Sequence, residues 1–533
     1  MKGENIVKEI QIKNFRSLKD TGMQALSPIT LLVGENSSGK STFLRAFPLL
    51  KQSISKRTSG PILWAGDVDD YVDFGSFEET VTNDDSSSIT FRFKFDMSSL
   101  GYFYRYMVFS RNLEDANVDS IDYEITISSI KGKDFVSEFK LALNSINFYS
   151  NVIDGHLCIN DDFFYTEQKE GNRDESISKN SIPAYGYITA LSKAFGFVLP
   201  DIDPLWNELI NTIFPEDEDD YKAYRISEVI VDIGNRLSKN ENLVKVSDGD
   251  ERFSNLPSWY CDVYNRIVEL INAGTHPRLP EEIKLCYLYR VFSDIDEYIV
   301  NYFKQVHYIA PLRATAERYY RLRNLAVDEV DYQGKNLAIF INSLTPKELK
   351  DFHQWTSKYF GFTVATQKNK GHLSLQIKLV NSNDPINLSD TGFGYSQVLP
   401  IITQLWELST RKVVNNRNYY QNKGPMPLVV AIEQPELHLH PAVQAKLARA
   451  FIACIQLARD NGFQLQLLLE THSETIVNYL GRAVAKGFLD SKDISVVLFD
   501  KQMQSKITTV TNSHYDKNGF LENWPYGFFE AEE

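Results

Sequence analysis

The sequence is poor in cysteine, and it has no long apolar run, no excess of positive charge and no internal repeat. Its four cysteines, Cys158, Cys261, Cys286 and Cys454, are scattered over 533 residues with no CxxC pair. That pattern excludes a disulfide framework and a cysteine-held zinc, and it is the usage expected of a reducing cytoplasm. No stretch reaches the roughly 18 consecutive apolar residues that suggest a membrane-spanning helix. The opening segment, Met1 to Phe15, has no apolar core of a secretory leader. The expected location is cytoplasmic, with no membrane partner. Lys and Arg number 56 against 70 Asp and Glu, a formal net charge of −14. This argues against a surface that coats DNA non-specifically, leaves room for a local basic groove, and favours a protein partner or self-association. No sustained heptad pattern is present, so no long coiled coil is expected.

What is present is globular: 43% hydrophobic and 13% aromatic residues, in a chain long enough for two or three folding units. Ile6 to Phe15 alternates like a strand. Ile29 to Val33 is a short apolar run of the kind a buried parallel strand makes, followed by a glycine-rich loop and a helix from Thr42 to Leu50. Residues 89–149 alternate as half-buried antiparallel strands do. Between 150 and about 300, acidic turns such as Pro215 to Asp220 separate helix-like segments at 201–214, 224–239, 256–273 and 281–303. Beyond 306, apolar runs return at Leu428–Ile432, Leu465–Leu469 and Ile494–Phe499, alternating with helices as a mostly parallel sheet requires. Ligands of such a sheet sit at the carboxyl ends of its strands. The expected divisions are 1–95, 96–305 and 306–533, the outer two forming one folding unit and the middle an inserted lobe for partner docking.

Gly34-Glu35-Asn36-Ser37-Ser38-Gly39-Lys40-Ser41 fits GxxxxGK[ST] between a strand and a helix. Glycines let backbone amides turn toward phosphate oxygens, and the helix N-terminus beginning near Thr42 adds positive potential. Lys40 is expected at the β and γ phosphates of ATP, and Ser41 on Mg²⁺. Leu428 to Ile432 then aims an acidic residue, Glu433, at the metal from its carboxyl end, followed by Gln434, Pro435 and Glu436.

As a set these motifs resemble the prokaryotic ABC-type ATPases related to RecF, OLD and SMC-like proteins. The matches are Asn14-Phe15-Arg16-Ser17, the phosphate loop, His307 to Arg313, Asp390 to Gln397, Ile432 to Pro441, Thr471-His472-Ser473-Glu474 and the ending Trp524 to Phe529. They cover about 1–95 and 306–533. The resemblance implies an α/β fold: an ABC-type ATPase head with a mostly parallel core sheet plus an antiparallel sheet, interrupted by a largely helical insertion. It implies Asn14 and Arg16 as nucleotide contacts and His472 as the γ-phosphate switch. It further implies a head-to-tail homodimer, alone or built into a larger assembly, in which Gly392, Gly394, Ser396 and Gln397 of one protomer face the other's γ-phosphate, with Ser389 as a second candidate for the signature serine. The pair His438 and His440, with one intervening residue, does not make a zinc site.

The class pattern after the strand is Asp-Glu-Pro, whose second carboxylate polarises the attacking water. Here Gln434 stands at that position, and an amide cannot take the water's proton. Slow hydrolysis with intact binding is expected; Glu436 could substitute as base, but two positions on it is expected to face differently.

Neither an HNH pattern nor an acidic nuclease cluster is found. Asp493 and Asp500 flank a strand without forming one. A standalone ATPase with these motifs resembles the ATPase subunit of Septu-type and retron-associated antiphage systems, which implies a separate HNH nuclease as partner. The alternative is a RecF-like repair ATPase acting on DNA. Arg313, Arg318, Arg321 and Arg323 among Tyr319 and Tyr320 could serve nucleic acid, or form a solvated helix face.

Overall fold

In the computed structural model the described residues are 7–56, 58–67, 70–82, 88–96, 120–143, 146–151, 156–159, 162–166, 213, 229–230, 232–234, 236–237, 241–246, 258–277, 279–321, 327, 329–382, 384–410, 428–501 and 507–524. They divide into two compact units. The first comprises 1–52, 63–91 and 302–533, and the second 53–62 and 92–301.

Along the chain come β1 (Val7–Phe15), β2 (Leu18–Asp20), β3 (Gln24–Ala25), β4 (Ile29–Gly34), α1 (Lys40–Ser55), α2 (Phe77–Thr80) and β5 (Ser88–Asp96). The second unit holds β6 (Ser120–Ile130), β7 (Lys133–Leu143), β8 (Ile146–Asn151), β9 (His156–Ile159), β10 (Asp162–Thr166), α3 (Ser258–Ala273) and most of α4 (Leu279–Lys304). Then follow β11 (Val306–Ile309), β12 (Tyr320–Arg321), α5 (Leu337–Ser343), α6 (Pro346–Phe360), β13 (Phe362–Asn369), β14 (His372–Leu379), β15 (Ile386–Asn387), α7 (Phe393–Thr410), β16 (Leu428–Glu433), α8 (Pro441–Asp460), β17 (Leu465–Glu470), α9 (Glu474–Ala485), β18 (Ile494–Asp500) and β19 (Thr509–Ser513).

The first unit is built on a six-stranded sheet in the order β11-β16-β17-β4-β18-β19. All neighbours are parallel except β18 and β19. Every residue of β4, β16 and β17 is buried, which is why they read as unbroken apolar runs: both faces of a parallel sheet are covered. One parity of these strands, Leu31, Val33, Val430, Ile432, Leu467 and Leu469, joins a core with α5 to α9. On α1, Phe43 packs edge-on against Phe499 of β18 with ring centroids 5.6 Å apart. A second, antiparallel sheet holds β1, which pairs β2 and β3. A third is the β13–β14 hairpin with β12 and β15 alongside.

Local chemistry fixes the boundaries. Helix α6 starts at a capping box, Thr345 with Glu348, with Pro346 in the first turn, and stops at Gly361 in the left-handed conformation. In the second unit, β6 to β10 form an antiparallel meander in chain order. Its first turn, Lys131-Gly132, has φ of +53° and +73°, the two positive values that a two-residue hairpin matching strand twist demands. A separate apolar cluster there unites Val229, Ile230, Ile233, Tyr264, Ile267 and Ile283. The segments 201–212 and 214–228, and the acidic run 215–220, lie outside the described residues.

Candidate nucleotide site

Three strands of the first unit end together. β4 leads into the loop Glu35–Gly39 and α1. β17 lies between β4 and β16 and ends at Glu470, and β16 ends at Glu433, its register partner. At Gly34 a Cβ would sit 2.3 Å from the carbonyl oxygen of Phe499, so the strand passes its neighbour only as glycine. Ser37 and Gly39 take left-handed backbone, φ +60° and +98°. Lys40, 3% exposed, curls back so that its ammonium donates to the Gly34 and Glu35 carbonyls at 3.0 and 2.5 Å. Burial holds its pKa below the usual value. Carbonyl oxygens there occupy the role that phosphate oxygens would take. Glu35, Asn36 and Ser37 are exposed, and Thr42 lies one position beyond Ser41 in the first turn of α1.

The Asn14-to-Ser17 turn closes the other side of the loop. Asn14 and Arg16 both adopt left-handed φ, +57° and +53°. A Cβ on Gly39 would come within 2.8 Å of the Ser17 hydroxyl. The Arg16 guanidinium lies over the Phe74 ring, 4.7 Å from its centroid, and burial, then Arg45, lowers its pKa.

The carboxylates divide in a way the sequence did not disclose. Ser41 was expected with Glu433 on the metal. Instead its hydroxyl donates to Glu470 Oε1 at 2.8 Å. Both Glu433 oxygens are occupied: Arg45 donates through two nitrogens at 2.6 and 2.7 Å, and the Tyr308 hydroxyl at 2.7 Å. Glu470 Oε2 is buried with no hydrogen-bond partner. Burial, then repulsion from Glu433, pushes the Glu470 pKa up to about 7.

Glu436 faces the site. Its two oxygens accept from the His472 backbone at 2.7 Å and the Thr471 hydroxyl at 2.9 Å, and its charge acts on Lys40. Burial raises its pKa. His472 is half-buried, and burial followed by Lys40 lowers its pKa, which favours neutral imidazole. Gln434 takes an unusual backbone, φ +42°, with its amide bonded to the Glu470 carbonyl at 2.9 Å. That strained turn sends the chain back so that Glu436 reaches the same strand ends as Glu433.

The signature segment lies elsewhere in this protomer. Gly392, φ +79°, is exposed and precedes α7. Gly394 abuts the His438 carbonyl, with a Cβ position 3.7 Å away. Ser396 is buried with its hydroxyl on the Phe393 carbonyl at 2.8 Å, and Gln397 is buried with its amide on the Arg313 carbonyl at 3.3 Å. Both side chains are thus held by partners within this protomer. Ser389 is half-buried, bonded to Asn387.

Arg313 also turns inward. It is 5% exposed, donates to the Ala310, Glu433 and Gln434 carbonyls at 3.3, 3.4 and 3.3 Å, and burial lowers its pKa to about 10. Arg318 pairs with Asp390 at 2.7 Å, and Arg323 lies outside the described residues, as do residues 525–529. His440 caps α8 by accepting the Ala442 amide at 3.2 Å, and His438 is exposed with φ +61°.

Among the described residues no three His, Cys, Asp or Glu side chains gather to hold a metal ion by themselves. A Mg²⁺ held partly by nucleotide phosphates needs fewer protein ligands. The Ser41 hydroxyl and the orphaned Glu470 oxygen fit that demand.

The sheet order, with β17 between the phosphate-loop strand and β16, and the site at its strand ends define a P-loop ATPase of the ABC type. Residues 6–477 match the model of the AAA ATPase domain family, and the chain belongs to that family. No curated protein matches it. Solved structures similar to it include the SMC head bound to the C-winged helix domain of ScpA, at 11% identity over 96% of this chain and 98% of that one, TM-score 0.34. Another is the SMC head domain from Thermotoga maritima, at 10% identity over 95% and 98%, TM-score 0.34. Likenesses this remote say nothing of substrate or partner. Among the described residues no helix is long and apolar enough to cross a membrane.

Proposed function

We propose that this chain binds ATP with Mg²⁺ on residues 34–42, hydrolyses it slowly, and passes its nucleotide state to a separate nuclease of the HNH type in prokaryotic antiviral defence. The observation that carries slow turnover is Gln434, at the carboxyl end of β16 where the class places its water-polarising glutamate. In hydrolysis the water oxygen bonds to the γ-phosphorus, the bond from that phosphorus to the β–γ bridging oxygen breaks, and ADP leaves with the electron pair. The water's proton must go to a base. Gln434 can orient water through its carbonyl oxygen but cannot accept that proton. Glu436, with its charge in the field of Lys40 and its oxygens steadied by His472 and Thr471, is the substitute. Mg²⁺, when bound, neutralises charge on the phosphate oxygens. Lys40 exchanges its carbonyl partners for phosphate, and His472 stands beside it as the switch.

The partner and the defence role are supported by the motif order, which resembles Septu-type ATPase subunits, and by the net charge of −14, which suits a protein partner better than bare DNA. A head-to-tail homodimer in the cytoplasm, with Gly392 and Gly394 presented to the partner's nucleotide, completes the reading.

Nucleotide binding and turnover of the purified chain test it, beside Gln434→Glu. Binding with very slow turnover in the native chain, and a rise of about ten-fold or more in the variant, is expected, since a positioned base contributes roughly 10²- to 10⁴-fold. Brisk native turnover overturns the slow-sensor reading. DNA-stimulated turnover, with no HNH reading frame beside this one in the genome, favours the RecF-like repair role.

A further inference from the structure

We infer that Glu470, at the end of β17, is the carboxylate that joins Ser41 on the magnesium ion, and that Glu433 is a positioning residue held off the metal by Arg45 and Tyr308. This deepens the ATP-site reading and rests on it.

Three observations carry the assignment. The first is contact: the Ser41 hydroxyl, the side chain of the phosphate loop that meets the cation in P-loop proteins, is 2.8 Å from Glu470 Oε1. The second is vacancy in the hydrogen-bond sense. Glu470 is 2% exposed and its other oxygen has no partner, a costly state for a buried carboxylate that a cation would relieve. The third is saturation of the rival. Glu433, also 2% exposed, accepts two parallel bonds from Arg45 and one from Tyr308. A bidentate guanidinium pair is among the strongest of side-chain contacts. For Glu433 to ligate, those bonds must open and a half-buried arginine lose its counter-charge.

Sheet geometry explains how both carboxylates come to the site. Glu433 and Glu470 are register partners on adjacent parallel strands, and β17, not β16, is hydrogen-bonded to the phosphate-loop strand β4. The strand next to the loop therefore delivers the nearer carboxylate. Glu433 then fixes the Arg45 side chain on α1.

The test is Mn²⁺ binding to the full chain, followed by electron paramagnetic resonance with ADP present, for native protein, Glu470→Gln and Glu433→Gln. The Glu470→Gln side chain is isosteric and can keep the Ser41 bond. It is expected to weaken Mn²⁺ binding by about ten-fold or more, while nucleotide affinity in EDTA is unchanged. Glu433→Gln is expected to stay within about three-fold of native. Should Glu433→Gln fail to fold, the neutral pair Glu433→Gln with Arg45→Gln takes its place. Loss of Mn²⁺ affinity in the Glu433 variant, alone or alongside the Glu470 variant, overturns the assignment, as does native affinity in Glu470→Gln. Absence of nucleotide binding by the native chain, with or without Mn²⁺, overturns the ATP-site reading instead.

Discussion

At the scale of single residues, the site shows two kinds of legibility. Gly34 to Ser41 could be read from the sequence because its chemistry is local: one loop must turn backbone amides toward phosphate, and only a narrow run of residues can do so. Glu470, Arg45 and Tyr308 were not legible. The Arg45–Glu433 pair spans 388 positions and the Ser41–Glu470 contact 429, and nothing in local spacing announces either. Ser396 shows the reverse case, a residue singled out by a motif whose hydroxyl the structure gives to its own helix. Glu470 also carries a pH prediction. Its pKa stands at about 7 against an ordinary 4.5. Between those values the folded chain holds a proton that the unfolded chain has released, so stability falls as pH rises. The slope is at most about 1.4 kcal/mol per unit from this group. In EDTA, the native protein is expected to lose more melting temperature between pH 5.5 and 7.5 than Glu470→Gln does. Equal losses would remove the basis for the raised pKa.

At the scale of elements, the strands that read best are those buried on both faces. Leu428–Glu433 and Leu465–Glu470 are apolar until the residue that faces the site, so sequence gives both the strand and its polar end. The hairpin turns Lys131-Gly132 and Lys370-Gly371, each with two positive φ values, are weaker signals, because lysine carries little preference for that conformation. Helix α7 carries its own prediction. Its first residue, Phe393, is 65% exposed beside the exposed Gly392, and its ring lies 6.3 Å from that of His438. Under the head-to-tail reading this apolar edge meets the second protomer. Phe393→Asp is expected to shift stability by less than about 0.5 kcal/mol and to leave nucleotide binding intact. ATP-dependent dimerisation should be lost, as light scattering would report. A variant that still dimerises places the interface elsewhere.

At the scale of the whole molecule, the first unit is drawn from three separate stretches of chain, 1–52, 63–91 and 302–533. That discontinuity is why the sequence showed an ATPase on both flanks and little about the middle: the insertion has no motif of its own, and its acidic turns carry only composition. A chain ending after residue 464 keeps the whole phosphate loop but lacks β17 and β18, the two strands that flank β4. Such a truncation is expected to bind no nucleotide in a fluorescence titration, and detectable binding would show that the loop acts without its neighbours.

The position of β4 between two late strands has a consequence for how the protein is made. The ribosome releases the phosphate loop early, and Glu470 follows Ser41 by 429 positions. At roughly 5–20 residues per second that interval is on the order of 20–90 s. Throughout it the nascent chain displays a loop shaped for phosphate with no sheet to hold it. On this geometry the site is whole only after β17 and β18 have been made, so nucleotide can recognise only a chain whose synthesis has passed both strands.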